Sequence, residues 1–157
     1  MNVEVEPATT RTIEELLRIE RECFTVEAYT REYILRLLKS PNAITFLARI
    51  DSDVAGFVIG LVEGRGTVKI GHIATIDIAV KHRRKGIGLA LLKEIECAFL
   101  ERNIGTVYLE VRADNQAARQ LYTRQGYEEK KQLEDYYSSG VTALRLVKNL
   151  KHESDAS

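Results

Sequence analysis

The stretch from Lys81 to Leu92 reads KHRRKGIGLALL and joins five potentially cationic side chains to two glycines and an apolar run. A segment rich in β-branched residues precedes it, and apolar residues at helical spacing follow it. The pattern therefore predicts a strand, a tight glycine turn and the start of a helix. A helix start presents unpaired N–H groups at the positive end of its dipole. We expect an anion, typically a phosphate, to bind there.

The two glycines, Gly86 and Gly88, would let a phosphate approach bare backbone, and the basic residues before them would add charge. Neither of two common phosphate-binding patterns fits. The P-loop sequence GxxxxGK[ST] is absent, and Leu91 occupies the third glycine position of GxGxxG. The alternative to an anion site is a solvated basic turn that binds nothing.

Length and composition indicate one globular domain. The chain has 157 residues, of which 45% are hydrophobic and 29% charged. We expect a single domain over residues 1–150 and a polar, frayed tail over residues 151–157. Lysine plus arginine and aspartate plus glutamate both number 23, so the net charge is zero. This balance argues against a nucleic acid or a membrane surface as the partner.

The cysteines and histidines of the chain indicate a reducing compartment and no metal site. Cys23 and Cys97 lie in segments with helical patterning, and we expect both to be buried free thiols. The three histidines are far apart and show no zinc-site spacing. No apolar run reaches the roughly 20 residues of a membrane span, and the first residues do not resemble a signal peptide. A cytoplasmic location is the expectation.

The predicted order of elements is β-α-α-β-β-β-α-β-α-β-β, a mixed α/β sheet flanked by helices. The unit spanning residues 67–112 predicts two parallel strands joined by a right-handed helical crossover. Predicted strands cover residues 2–7, 43–50, 54–62, 67–80, 106–112, 127–133 and 141–147, and predicted helices cover 12–24, 30–40, 89–100 and 115–125.

A second stretch, YLEVRADNQAARQLYTRQGYEE, begins at Tyr108 and carries two candidate proton-transfer groups. Glu110 shares a strand face with Tyr108 and Arg112. Partial burial would raise its pKa and make it a candidate base, although a salt bridge to Arg112 or to a neighbouring strand would explain it equally. Tyr122 could donate a proton, or it could be a core tyrosine with its hydroxyl at the surface.

Together the two stretches resemble the GNAT acetyltransferase superfamily. Arg83, Gly86 and Gly88 match its acetyl-CoA signature, Gln/Arg-x-x-Gly-x-Gly/Ala. More narrowly, LEVR-x-x-N-x-x-A-x-x-LY-x-x-x-G-Y resembles N-terminal protein acetyltransferases, both the bacterial ribosomal-protein alanine enzymes and their archaeal relatives. The GHIATIDIAV strand, the FTVEAY segment and the Tyr136-Tyr137 pair add to a resemblance that covers nearly the whole chain.

The resemblance implies acetyl-CoA as the cofactor, with no metal. One strand would pair its backbone with the pantetheine arm, the glycine turn would hold the pyrophosphate, and the last helix would flank the cofactor. The implied cofactor-binding residues are Ile78, Ala79, Val80, Arg83, Arg84, Lys85, Gly86, Ile87, Gly88, Leu89, Asn115 and Tyr122.

The implied reaction is direct transfer of acetyl to the α-amine of a protein N-terminus. By resemblance to the ribosomal-protein enzymes, Glu110 would be the base and Tyr122 the acid that protonates the thiolate. By resemblance to the eukaryotic and archaeal enzymes, Glu27 and His72 would take such roles. The chain carries both sets, and the sequence does not choose between them.

The acceptor peptide is expected between the first helix–helix loop and the last hairpin, in contact with Phe24, Glu27, Tyr29, Tyr136 and Tyr137. Two alternatives remain open: an acceptor that is a lysine side chain or a small amine, and a non-catalytic acetyl-CoA-binding module. A monomer, a weak homodimer and a complex with an auxiliary subunit are all compatible with the sequence.

Overall fold

The computed structural model describes residues 2–134, 136 and 140–150 of the chain. The predicted tail and Tyr137 lie outside these residues. The element order agrees with the prediction, and the mixed α/β fold is confirmed. The strands are β1 Val3–Pro7, β2 Ala43–Ile50, β3 Asp53–Arg65, β4 Val68–Ile78, β5 Thr106–Arg112, β6 Glu128–Leu133 and β7 Ala143–Asn149. The helices are α1 Ile13–Cys23, α2 Arg31–Lys39, α3 Ile87–Glu101 and α4 Gln116–Arg124.

One seven-stranded sheet in the order β1-β2-β3-β4-β5-β7-β6 organises these elements. The predicted parallel pair is confirmed, because β4 and β5 run parallel around the α3 crossover. Their pairing is short and joins only 71–73 to 107–109. Beyond it, β4 continues to Ile78 and β5 to Arg112, so the two strands separate and leave an opening in the middle of the sheet.

Helices cover both faces of the sheet. The α3 face buries a stripe that includes Leu92, Ile95 and Phe99, and α1 and α2 cover the opposite face. Two glycines in the sheet allow α3 to pack closely, since a Cβ at Gly60 would lie 2.7 Å from Phe99 and one at Gly71 would lie 2.9 Å from it. Real Cβ atoms do not approach so closely, so these positions require glycine for packing reasons.

Two local predictions are wrong. Helix α3 begins at Ile87, two residues before the predicted start, because Gly86 adopts a left-handed conformation with φ of 78° and caps the helix. Cys97 is exposed rather than buried, since it lies outside the apolar stripe of α3. Cys23 is half-buried, and its thiol donates to the Ile78 carbonyl (3.5 Å).

The helices of the described residues are too short or too polar to cross a membrane.

Candidate active site

A cavity of about 390 Å³ occupies the opening between β4 and β5. Helix α1 and the loop that follows it form one wall. We call this loop, residues 24–30, the α1–α2 loop. Helix α4 forms another wall. The cavity is lined by Glu20, Phe24, Glu27, Tyr29, Ile73, Ala74, Thr75, Ile76, Leu109, Glu110, Val111, Arg112, Asn115, Ala118, Tyr122 and Tyr136. Seven residues predicted separately from the sequence thus meet around one space, namely Phe24, Glu27, Tyr29, Glu110, Asn115, Tyr122 and Tyr136.

Glu110 is a largely buried carboxylate of this cavity with several hydrogen-bond partners. Its side chain is 7% exposed, and Oε1 lies 2.8 Å from His72 Nε2. Arg145, its register partner on β7, donates from Nε to Oε2 (3.0 Å). Burial alone would raise the pKa of Glu110, but the bonds and charges of His72 and Arg145 outweigh it and lower the pKa. The predicted raised pKa is therefore wrong.

His72 joins Glu110 to a second carboxylate, Glu63 of β3. The Nδ1 atom of His72 lies 3.1 Å from Glu63 Oε2, so both ring nitrogens face carboxylate oxygens. The Tyr108 ring stacks on the imidazole with 4.3 Å between centroids and an angle of 2° between planes. The Tyr108 hydroxyl donates to the remaining oxygen of Glu63. The imidazole is thus held in position at its edges and on its face.

The two candidate sets of proton-transfer residues are consequently not separate. Glu110 and His72, which came from different sets, form one hydrogen-bonded pair. Glu27 and Tyr122 line the cavity that Glu110 faces. Sequence reasoning missed Glu63 and Arg145, whose positions follow only from the β3–β4 and β5–β7 strand registers.

The glycine turn has the geometry of an anion site. Arg84 and Gly86 adopt positive φ values of 63° and 78°, which turn successive N–H groups outward. At the start of α3 the Ala90 N–H donates to the Gly86 carbonyl (3.1 Å). The N–H groups of residues 87–89, which precede it, therefore have no hydrogen-bond partner within the helix. No atom lies within 4 Å of a Cβ built at Gly86, so a ligand has room there.

Not every basic residue of this turn points its charge at the N–H groups. Arg83 instead donates from Nε to the Ile78 carbonyl (3.2 Å) and lies 3.6 Å from the Cys23 sulfur. Lys81 and His82 both pair with Asp53 on β3, at 3.0 Å and 2.7 Å. These contacts brace the turn against β3 and β4.

The backbone at the end of β4 divides its hydrogen-bonding groups between β3 and the opening. Ala79 donates its N–H to a β3 carbonyl (2.8 Å), and Val80 donates to the Glu22 carboxylate (3.3 Å). Because backbone groups alternate sides along a strand, the groups of Ile76 and Ile78 face the opening instead. The N–H groups of Ala79 and Val80 thus have partners within the protein, and the pairing of residues 78–80 with a pantetheine arm stays a prediction.

No group of three or more histidine, cysteine, aspartate or glutamate side chains able to hold a metal ion occurs within the described part of the chain.

Comparison with known proteins places this arrangement in a family. The family model described as "Acetyltransferase (GNAT) family" matches residues 13–127. The chain belongs to the GNAT acetyltransferase family. A relative named N-alpha-acetyltransferase, from Sulfurisphaera tokodaii, is 33% identical over 144 residues, covering 86% of each chain. An N-acetyltransferase from Methanocaldococcus jannaschii, described as uncharacterized, is 32% identical over 141 residues, covering 89% of this chain and 87% of the relative.

Among solved structures, Ard1 from Thermoplasma volcanium aligns with a TM-score of 0.87 and 26% identity, covering 97% of this GNAT chain and 100% of that one. The ribosomal-protein-S18-alanine N-acetyltransferase from Escherichia coli aligns with a TM-score of 0.82 at 22% identity, covering 97% of each chain. This second likeness shows the shared fold.

Proposed function

We propose that this GNAT protein transfers an acetyl group from acetyl-CoA to the α-amine of a protein N-terminus. The Glu110–His72 pair on the wall of the cavity carries the proposal. The names of the relatives from Sulfurisphaera tokodaii and from Saccharolobus solfataricus, both N-alpha-acetyltransferases, support the choice of acceptor.

The residues around the opening fit acetyl-CoA. The backbone groups of Ile76 and the N–H group of Ile78 can pair with the amides of a pantetheine arm, and the N–H groups of residues 87–89 can bind a pyrophosphate. Asn115 caps α4 by accepting from the Ala118 N–H (3.1 Å), which keeps this wall of the cavity in place. When bound, acetyl-CoA supplies the thioester whose acetyl group is transferred.

The acceptor must lose a proton before it can attack. An α-ammonium group has a pKa of about 7.7–8.0, and passing its proton to a carboxylate near 4 costs about 5 kcal/mol. The lowered pKa keeps Glu110 ionised, so that its carboxylate can take the proton as the amine attacks. We assign the base role to the Glu110–His72 pair, in which Glu110 takes the proton from the amine and His72 holds the carboxylate by donating to Oε1.

Tyr122 and the α1–α2 loop supply the remaining roles. Tyr122 lies on α4 at the cavity wall and is 9% exposed, and its hydroxyl would protonate the leaving thiolate. Glu27 and Tyr29 line the cavity from the α1–α2 loop, and Tyr136 approaches Glu110 Oε1 from the opposite side (3.5 Å). These side chains would hold the first residues of the peptide, and the Glu27 carboxylate would attract its ammonium group.

A peptide panel tests the proposal. Each peptide is offered with a free and with a blocked N-terminus, some with an internal lysine, and acetylation sites are read by mass spectrometry. We expect acetylation only at free N-termini. Equal acetylation of lysine in blocked peptides would contradict the assigned acceptor, and absence of any acetylation would contradict catalysis.

A further inference from the structure

Beneath the cavity lies a cluster of polar side chains that the mechanism above does not use. Among the described residues, Glu20 and Asp77 are charged residues with only 1% exposure, and Thr75 is 9% exposed. Glu20 belongs to α1, whereas Thr75 and Asp77 belong to β4. Glu20 and Thr75 also line the cavity, so the cluster lies directly behind its wall.

The carboxyl groups of Glu20 and Asp77 lie close enough to interact directly, and this interaction contributes to the raised pKa of Asp77. Glu20 Oε2 accepts the Tyr29 N–H (2.9 Å), and Asp77 Oδ1 accepts the Thr75 hydroxyl. The other two oxygens, Glu20 Oε1 and Asp77 Oδ2, are buried and have no further partner. A bond between two carboxyl oxygens requires a proton, since each carboxylate oxygen only accepts. One proton shared by the pair therefore satisfies both oxygens.

The surroundings favour this protonated state. Arg83 is the cation that acts on Asp77, but its guanidinium donates to the Ile78 carbonyl and not to the pair. Burial, followed by the interaction with Glu20, raises the pKa of Asp77 to about 9. The titratable neighbours remain neutral beside the pair. Burial, and then Asp77, raises the pKa of Cys23, and burial, then Tyr33 and Glu20, raises the pKa of Tyr29.

The pair is tied to the α1–α2 loop through Tyr29. The Tyr29 backbone is held by Glu20, and its hydroxyl donates to the Ala74 carbonyl (3.4 Å). Ala74 is the extra residue of a bulge in β4, where Ile59 and Gly60 of β3 face residues 75 and 73. The loop is therefore fastened to α1 through the Tyr29 backbone and to β4 through the Tyr29 hydroxyl, immediately beside the cavity.

We propose that the Glu20–Asp77 pair, joined by one shared proton, is the positioning element that fixes the α1–α2 loop for acceptor binding. The inference rests on the proposed function, which places the acceptor against this loop. Loss of the proton leaves two adjacent carboxylates, which repel each other and displace Glu20 from Tyr29. Acceptor affinity then falls, whereas the acetyl-CoA site at the glycine turn is unaffected.

The test uses Asp77→Asn, which replaces the shared proton by an amide. The Asn oxygen can accept from Thr75 while the NH₂ donates to Glu20 at every pH. KM for an acceptor peptide with a free N-terminus, KM for acetyl-CoA and kcat are measured from neutral pH to about one unit above the pKa of about 9. Asp51→Asn, the same change in the exposed β2–β3 turn, is the matched control.

We expect the wild-type and Asp77→Asn proteins to have similar peptide KM values at neutral pH. The wild-type value should then rise to roughly ten times that of Asp77→Asn one unit above the pKa, as a single ionisation requires. The peptide amine titrates in the same way in both assays, so its effect cancels when the wild-type peptide KM is divided by the Asp77→Asn value. The Asp51→Asn protein should follow the wild type, and acetyl-CoA KM should be equal in all three.

The inference would be overturned if the ratio of the wild-type peptide KM to the Asp77→Asn peptide KM stayed constant across the pH range. It would also be overturned if the two proteins differed in the pH dependence of kcat alone. If Asp77→Asn does not fold, a carbon NMR titration of the aspartate carboxyls in the wild type decides, since an Asp77 signal that titrates near 4 would overturn the shared proton. Failure of the wild type to acetylate any peptide would instead count against the proposed function, and the NMR titration would still test the pair.

Discussion

Replacing Arg145 by glutamine should move the acidic limb of the pH–rate profile to higher pH. Arg145 donates a charge-assisted hydrogen bond to Glu110 Oε2 (3.0 Å), and it is one of two groups that lower the pKa of Glu110 against the effect of burial. Glutamine keeps a donor but removes the charge. The pKa of Glu110 should therefore rise, so that the carboxylate becomes protonated at a higher pH and the base form is lost sooner on acidification.

The size of the shift follows from the bond that is weakened. Charge-assisted hydrogen bonds contribute about 1.5–3 kcal/mol and neutral ones about 0.5–1.5 kcal/mol, a difference worth about one pKa unit. The Arg145 side chain is 36% exposed, so solvent screens its charge. We therefore expect the pKa of Glu110 to rise by about one unit rather than two.

The assay is the pH dependence of kcat with a saturating acceptor peptide, compared with two controls. Arg145→Lys keeps the charge and should shift the limb less, and Arg49→Gln removes a half-buried arginine of β2 that pairs with Glu6 of the distant edge strand β1. An acidic limb that stays in place in Arg145→Gln, or that moves to lower pH, would refute the electrostatic account of Glu110.

Three further substitutions have defined outcomes. Glu63→Gln removes the carboxylate bonded to His72 Nδ1 (3.1 Å) and should lower kcat about tenfold with both KM values unchanged, which steady-state kinetics would show. Gly60→Ala places a Cβ 2.7 Å from Phe99 and should lower the free energy of unfolding by about 1–3 kcal/mol in urea titrations; wild-type stability would contradict the packing described. Gly86→Ala meets no atom within 4 Å but must adopt a φ of 78°, so acetyl-CoA KM should rise while peptide KM does not, and an unchanged acetyl-CoA KM would place the phosphate site elsewhere.

Elements bounded by clear local signals were predictable from the sequence. Strands β2, Ala43–Ile50, and β5, Thr106–Arg112, were predicted to the residue, because turn residues delimit their β-branched runs. Strand β3 extends to Arg65, beyond its predicted end at 62, since its pairing with β4 continues to Val68. That extension depends on hydrogen bonds between strands, which local patterning does not contain.

The candidate site was also predictable only where local sequence patterns determine it. Spacing within one segment identified Glu110 and Tyr122, and both line the cavity. The pKa direction of Glu110 depends on Arg145, 35 residues away on β7, and the sequence alone does not reveal this register partner. The Glu20–Asp77 contact likewise joins a helix to a distant strand and has no local signature.

A single-turnover measurement of acetyl transfer by Glu110→Gln tests the central claim most directly. Enzyme preloaded with acetyl-CoA is mixed with a free N-terminal peptide, and the acetylated peptide is quantified over time. Glu101→Gln, at the exposed end of α3, is the matched control. The account predicts a transfer rate about 10²–10⁴-fold below wild type for Glu110→Gln, with unchanged acetyl-CoA affinity. Transfer at the wild-type rate would contradict the assignment of the Glu110–His72 pair as the base.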